Sequence, residues 1–308
     1  MQTLSYYLKH KRTVGNIILV YFFRWLPDKI YLKAKFRLIM GEKLNLKSPK
    51  SFNEKLQWLK LYNRRPEYTI MVDKVKAKDY VKSIIGEEYI IPSLGVWKDP
   101  DEIDFDKLPN SFVLKCNHNS GLGMYICKDK AKMNRKEVIN NLRKGINQNY
   151  YTATREWPYK NVPRRILAEQ YLEPDSETND LRDYKFFCFN GKVKMFKIDF
   201  DRHVDHHANY FDREGTILPF GEQAFAPRPD KKLSIPKTLS KMITLAESIA
   251  EGHIFVRVDF YDHNGRIYFG EMTFFPVSGF GKYVPAEWDS ILGSWLELPL
   301  KSNNNNGI

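Results

Sequence analysis

Near the carboxyl end, Val256-Arg257-Val258-Asp259-Phe260-Tyr261 is followed, after a short turn, by Phe269-Gly270-Glu271-Met272-Thr273. No other stretch limits the fold so tightly. Both runs are rich in β-branched and aromatic residues and read as the strands of a hairpin. Side chains alternate between faces along a strand, which places Arg257 with Asp259 and Glu271 with Thr273. A carboxylate set among Val, Phe, Tyr and Met is costly to bury without a partner. Whether these groups meet depends on the register across the turn. A two-residue Asn264-Gly265 turn pairs His263 with Arg266 and leaves Glu271 on the face opposite Asp259. An odd-length loop from His263 to Gly265, or a bulge, brings Asp259, Glu271 and Thr273 together. We therefore expect the odd-length loop or the bulge. Two acids and a hydroxyl converging beside an Arg would suit Mg²⁺ holding phosphate oxygens.

The chain has 308 residues, room for one large or two modest domains with real cores. Apolar content of 43% with 14% aromatics excludes disorder. Cys116, Cys127 and Cys188 cannot pair completely and lie in strand-like runs, which suits buried free thiols in a reducing cytoplasm. No signal peptide is expected, because the apolar run 17–23 ends at Arg24 without a small-residue cleavage site. That run is also far short of a membrane span.

Charge is unevenly placed. Residues 1–50 carry eleven Lys/Arg against two acids, so nine of the net +12 sits there. With Tyr21, Phe22, Phe23, Trp25, Tyr31 and Phe36 interleaved, the segment reads either as lying on an anionic membrane face or as amphipathic helices docked on the rest. No recognised reader motif accompanies the charge, so nucleic acid is not expected as a partner. The expected location is cytoplasmic, with the inner face of the plasma membrane as the surface such a segment would meet.

Along the chain, helical signals cover parts of 1–40. Ser51 and Glu54 form a capping box opening a helix over 51–61, and another helix spans 71–84. Strands follow at 111–117 and 124–127, then a helix at 135–148 and a strand at 165–170. A hairpin of 184–189 with 192–199 turns at Asn190-Gly191, and a helix covers 237–251 before the last hairpin. The mixture lacks regular βαβ alternation, so α+β is the expected class. The divisions expected are a basic extension (1–50), a first core part (51–110), a clamping part with a Gly-rich loop (111–170), a larger part (171–300) and a tail (301–308).

Further groups could carry chemistry. Lys115 lies inside the hydrophobic strand Phe112-Val113-Leu114-Lys115 and should have an anionic partner. After it, Asn119-Ser120-Gly121-Leu122-Gly123 would let backbone N–H groups approach phosphate, or would simply turn the chain. Glu169-Gln170-Tyr171-Leu172 reads as a strand edge facing a planar base, or as a plain buried strand end. Asp183-Tyr184-Lys185 is either an ordinary pair or a Lys aimed at a phosphoryl group. His203, His206 and His207 beside Asp199, Asp201 and Asp205 lack zinc-ligand spacing and read as a polar loop at a cleft edge. The D-x-D of Asp199-Phe200-Asp201, found in some sugar-nucleotide transferases, occurs three times here and discriminates little.

Taken in order, these pieces resemble the ATP-grasp superfamily, and more narrowly its TupA-like branch associated with teichuronopeptide and other surface polysaccharides. The resemblance covers about 51–299. Its most specific part is Arg257-Val258-Asp259 with Glu271 to Phe280, supported by Asp73-Lys74, the Lys115 strand, the Gly121/Gly123 loop, 169–172 and 183–185. It implies two α+β subdomains clamping ATP, with residues 1–50 outside the shared core. On that resemblance Lys74 and Lys115 contact the phosphates while Asn119, Ser120, Gly121 and Gly123 close over them. Glu169, Gln170, Tyr171 and Leu172 hold the adenine, and Asp183 joins the nucleotide set. Asp259, Glu271 and Thr273 would bind Mg²⁺, although many members of the superfamily carry Asn where Thr273 stands. Arg257 and Lys185 would cover the developing phosphate charge. Arg202, His206, Ser278, Gly279 and Lys282 would face the acceptor.

The activity implied is an ATP- and Mg²⁺-dependent ligase joining an amine to a carboxylate through an acylphosphate. Its partners would be an acidic glycan or lipid-linked sugar precursor and an amine donor. A sugar kinase on the same fold and a glycosyltransferase of the same pathway are the competing readings. A non-enzymatic scaffold fits poorly with buried charge clusters.

Overall fold

A computed structural model describes residues 11–174, 181–201, 205–231 and 233–299. The described part is built on two antiparallel sheets. The smaller has strand order β1-β4-β2-β3, with β1 Ser93–Trp97, β2 Phe112–Cys116, β3 Tyr125–Cys127 and β4 Ile166–Gln170. Phe112, Leu114, Ile166 and Ala168 are fully buried there, packed with Val138 and Leu142 of the helix Arg135–Ile146.

The larger sheet has order β10-β9-β5-β6-β7, with β5 Asp183–Phe189, β6 Lys192–Phe200, β7 His207–Asp212, β9 Phe255–His263 and β10 Arg266–Thr273. One face carries Phe186, Phe196, Ile198, Val256, Val258 and Phe260, all fully buried, against the helix Leu239–Ala250 and its Met242, Ala246 and Ile249. The period-2 alternation sends Lys185, Arg257, Asp259 and Glu271 to the other face. A two-stranded pair, β8 Gly221–Glu222 with β11 Tyr283–Val284, completes the strands.

The hairpin settles the register question. Arg266 pairs with His263 across a two-residue turn in which Asn264 (φ 52°) and Gly265 (φ 80°) are both left-handed, the mirror-image turn that an Asn-Gly pair favours. The odd-length loop is therefore absent. A bulge instead shifts the register between Phe269 and Glu271, leaving Gly270 as the extra residue. Past it Glu271 pairs with Asp259 and Thr273 with Arg257. One inserted residue flips every later side chain to the other face, so the bulge puts all four polar groups on one face.

The helix expected over 71–84 is two helices, Glu67–Val72 and Lys76–Ile85. Asp73 breaks it: its buried carboxylate accepts from Asn117 Nδ2 at 2.7 Å and from the Val75 amide at 3.0 Å. Asn117 is itself fully buried, bonded to Pro163 and Arg165. The break therefore ties the chain just before Lys74 to the end of β2. The capping box at Ser51 and Glu54 is present and opens the helix Phe52–Tyr62.

In the amino-terminal extension the helix Lys11–Phe22 packs on Asp28–Ile39. The second helix inserts Tyr31, Leu32 and Phe36, all fully buried, into the main core. Residues 1–10 and the expected tail 301–308 lie outside the described residues.

Candidate active site

The two sheets face each other across a cleft of about 280 Å³. One wall carries Lys74, Lys115, Asn119, Ser120, Gly121 and Leu122; the other carries Asp183, Lys185, Asp259, Tyr261, Gly270 and Glu271. Residues far apart in sequence thus line one cleft.

On the larger sheet, β5 pairs with β9 so that Lys185 sits opposite Asp259. Lys185 forms a short ion pair with Asp183 and lies 3.4 Å from carboxylate oxygens of both Asp199 and Asp259. Burial alone would lower the pKa of this ammonium, but Asp183, Asp259 and Asp199 hold it above the ordinary value. Arg257 grips Asp259 with two 2.6 Å hydrogen bonds and reaches Glu271 at 3.3 Å. Burial pushes the Asp259 carboxyl upward, and Arg257 and Lys185 pull against it. Glu271 keeps a side chain 39% exposed. Desolvation would raise its pKa, yet Lys74, Arg257 and Lys185 hold it below the ordinary value.

Asp259 and Glu271 therefore face one another as a carboxylate pair, with the Arg257 guanidinium supplying the positive charge between them. Among the described residues no group of three or more His, Cys, Asp or Glu is arranged to hold a metal by itself. Two carboxylates at a cleft fit a hard cation whose remaining ligands are water and phosphate oxygens. Thr273 shares the face, across from Arg257, but does not line the cleft. The oxygen set at the cleft is thus the two acids.

On the facing wall, Lys74 donates to the Asn119 carbonyl at 2.8 Å and lies 3.5 Å from Glu271, linking the two sheets. The Asn119 amide points away, to Gly145 in the helix behind. Gly123 owes its identity to that helix too, since a Cβ would come within 2.9 Å of the Gly145 Cα. Gly121, at φ 84°, has open space where its Cβ would be. Ser120 is exposed. Close backbone approach to a ligand is therefore available at Ser120 and Gly121, while Gly123 serves packing.

Glu169 was expected, with Gln170, Tyr171 and Leu172, to hold the adenine. In the structure its oxygens hold Lys115 and Lys78 instead, and these two cations keep its carboxyl low despite burial. Gln170, Tyr171 and Leu172 lie outside the cleft lining. The Gln170 amide donates to Pro92, and Leu172 packs with Ile91 and Tyr268.

Of the residues expected at the acceptor, Ser278 (φ 55°) and Gly279 (φ 64°) form a left-handed turn with Val277 (φ 48°). Gln57 holds the Gly279 carbonyl at 2.6 Å, and the fully buried Lys60 holds the Ser278 carbonyl and hydroxyl. Strained non-glycine backbone of this kind persists only where the surroundings over-determine it. Beneath lies the buried Glu156, whose carboxyl burial pushes upward while Lys60, Ser278 and Tyr150 pull against it. Burial raises the Tyr150 pKa, and the Glu156 and Glu271 carboxylates add to the effect. His206 reaches the Lys185 cluster through Asp199 at 3.0 Å. Lys282 is exposed, and its carbonyl accepts from Gln223. Arg202 lies outside the described residues.

Sequence reasoning missed Lys78, Lys60 and Glu156. A Lys in the interior of an amphipathic helix pattern was the one available signal for Lys60. Nothing marked Glu156.

A family model described as TupA-like ATP-grasp matches residues 54–297, and the chain belongs to that family. No curated protein matches it. Solved structures offer distant likenesses. The D-alanine–D-alanine ligase of Helicobacter pylori is 15% identical at a TM-score of 0.40, covering 80% of this chain and 70% of that one. The Bacillus anthracis D-alanine–D-alanine ligase, complexed with ATP, is 15% identical at 0.39, covering 66% and 53%. The biotin carboxylase domain of the Hydrogenobacter thermophilus 2-oxoglutarate carboxylase is 20% identical at 0.38, covering 66% and 40%. The chain thus spans about half the length of the second of these and two fifths of the third.

Proposed function

We propose that this protein is an ATP- and Mg²⁺-dependent ligase that joins an amine, an amino acid, to a carboxylate of an acidic surface glycan or its lipid-linked precursor. The observation that carries the reading is the bulge at Gly270, which sets Glu271 against Asp259 beside Arg257 and Lys185 at a cleft whose other wall holds Lys74 and Lys115. The bulge gathers charged side chains on the side of the sheet that lines the cleft, and clusters of this kind are candidate reaction sites.

In the reaction proposed, a carboxylate oxygen bonds to the terminal phosphorus of ATP and the bond to ADP breaks. The amine then attacks the acyl carbon, loses its proton and expels phosphate. Asp259 and Glu271 would hold Mg²⁺, which when bound supplies charge neutralisation on the phosphate oxygens. Arg257 would exchange its carboxylate contacts for phosphate, and Lys185 would add positive charge where it develops. Lys74 and Lys115 would hold the nucleotide from the facing wall, with Ser120 and Gly121 excluding water that would hydrolyse the intermediate. The turn at Ser278 and Gly279 would position the acceptor. The glycan rests on the resemblance of the motif set to the surface-polysaccharide branch.

Release of ADP and phosphate, scored across amino acids and uronic-acid glycans with product masses, tests this. Release should require both substrates, and Glu271→Gln should lower it by at least about 100-fold while circular dichroism and melting stay unchanged. Full activity in that variant would remove the site assignment. A phosphorylated sugar without free phosphate would make the enzyme a kinase, and sugar-nucleotide binding without ATP binding a glycosyltransferase.

A further inference from the structure

The helix Lys11–Phe22 turns its apolar side away from the protein. Ile17, Ile18, Tyr21 and Phe22 recur at helical spacing as one outward stripe, with Tyr21 64% and Phe22 72% exposed. Among the described side chains of that helix only Leu19 is buried. The stripe continues into the following loop, where Trp25 is 75% exposed and its ring lies 6.3 Å from that of Phe23. Ile30 extends it onto the next helix. Soluble surfaces seldom leave so many large apolar side chains together in water.

Cations border the stripe. On the helix Asp28–Ile39, Lys29, Lys33 and Arg37 form an exposed row at four-residue spacing, opposite the buried Tyr31, Leu32 and Phe36. Arg12 is exposed, and the Arg24 guanidinium lies 5.6 Å from the Tyr21 ring. The acid of this region that could offset them, Asp28, is taken by Arg64 and Tyr151. No described helix is long and apolar enough to cross a membrane.

We propose that this face, from Arg12 to Arg37, seats on the surface of an anionic lipid bilayer. Aromatic and aliphatic side chains enter the headgroup boundary while the cation row meets lipid phosphates. Charge selects lipid over a second copy of the chain, since a self-contact would set the same cations against each other. The opposite side of the second helix donates from Tyr31 and Lys35 to the Ala153 carbonyl and packs Phe36 on Phe280. One helix thus separates the lipid-facing stripe from the turn at Ser278. On the ligase reading, this would bring a lipid-linked acceptor to its site; the seating itself does not depend on that reading.

Sedimentation of the full chain with vesicles tests it, using phosphatidylcholine alone and phosphatidylcholine with about a third phosphatidylglycerol. Binding to the anionic vesicles should be at least about tenfold tighter and should weaken as salt rises. Phe22→Ala with Trp25→Ala should weaken it about tenfold, and Lys29→Glu with Lys33→Glu and Arg37→Glu should abolish it. Melting and ATP binding of these variants serve as controls and should match the parent, because every changed side chain is exposed; they also report separately on the ligase reading. Equal pelleting with neutral and anionic vesicles, or with parent and variants, would overturn the proposal. So would a dimer in solution that Phe22→Ala with Trp25→Ala dissolves while vesicles bind neither form.

Discussion

Lys185 and Lys60 are both taken out of water, but their surroundings differ. Lys185 faces the carboxylates of Asp183, Asp199 and Asp259. Lys60 is wrapped by the carbonyls of Thr154 and Ser278 and the Ser278 hydroxyl. The pKa of the first is held above its ordinary value, whereas burial pulls that of the second down to about 7 even with the charge of Glu156 opposing it. Carbonyl dipoles satisfy an ammonium's hydrogen bonds without replacing the hydration that stabilised its charge; carboxylates do both. The sheet face is built to keep charge in place. The helical layer under the turn at Ser278 uses buried polar groups to hold backbone. His253 is likewise a base taken out of water: it packs beside the stacked rings of Tyr68 and Phe274, and its Nδ1 has no partner among the described residues.

The contrast can be broken most sharply at Lys185. Lys185→Met leaves three carboxylates converging without their central cation, and unfolding by denaturant should show a loss of about 3–5 kcal/mol. An unchanged midpoint would mean the sheet face does not depend on that charge.

The next largest effect concerns pH. Burial, helped by Arg65, lowers the His253 pKa from 6.5 to about 4. The folded state therefore binds this proton less readily than the unfolded chain. Its contribution is fully present above pH 6.5 and is lost as pH falls toward 4, amounting to about 2–3 kcal/mol. His253→Phe should flatten the stability profile over that window; an unaltered slope would show that His253 is hydrated.

The smallest effect sharpens the comparison from the other side. Lys60→Met removes a donor from two backbone carbonyls, at a cost of about 1–3 kcal/mol, less than Lys185→Met. Because Lys60 holds the turn at Ser278, KM for the acceptor should rise while ATP binding stays unchanged. A loss as large as that of Lys185→Met would place the two lysines in one class.

Much of this was legible in the sequence. The strands of the Tyr184 and Val256 hairpins, the capping box at Ser51 and the polar pairs on alternate positions of β9 and β10 all follow from local pattern. So did the prediction that the last hairpin needs either a longer loop or a bulge. Which of the two occurs was hidden, because Asn264-Gly265 and Gly270 each suit a local irregularity and only cross-strand hydrogen bonding selects one. The break at Asp73 was hidden for a similar reason, since its cause is Asn117, 44 positions away. The pairing of Glu169 with both Lys115 and Lys78 was hidden as well, because a buried acid at a strand end says nothing of how many lysines reach it.

By itself the sequence determined which residues share a strand face and which stretches must be buried, since both depend on neighbours within a few positions. Tertiary structure alone decided which acid meets which cation. Lys74 against Glu271, Lys78 against Glu169 and Lys60 under Ser278 are contacts between distant segments. Their energies depend on separation and desolvation, which exist only once the two sheets and the helical layer have packed.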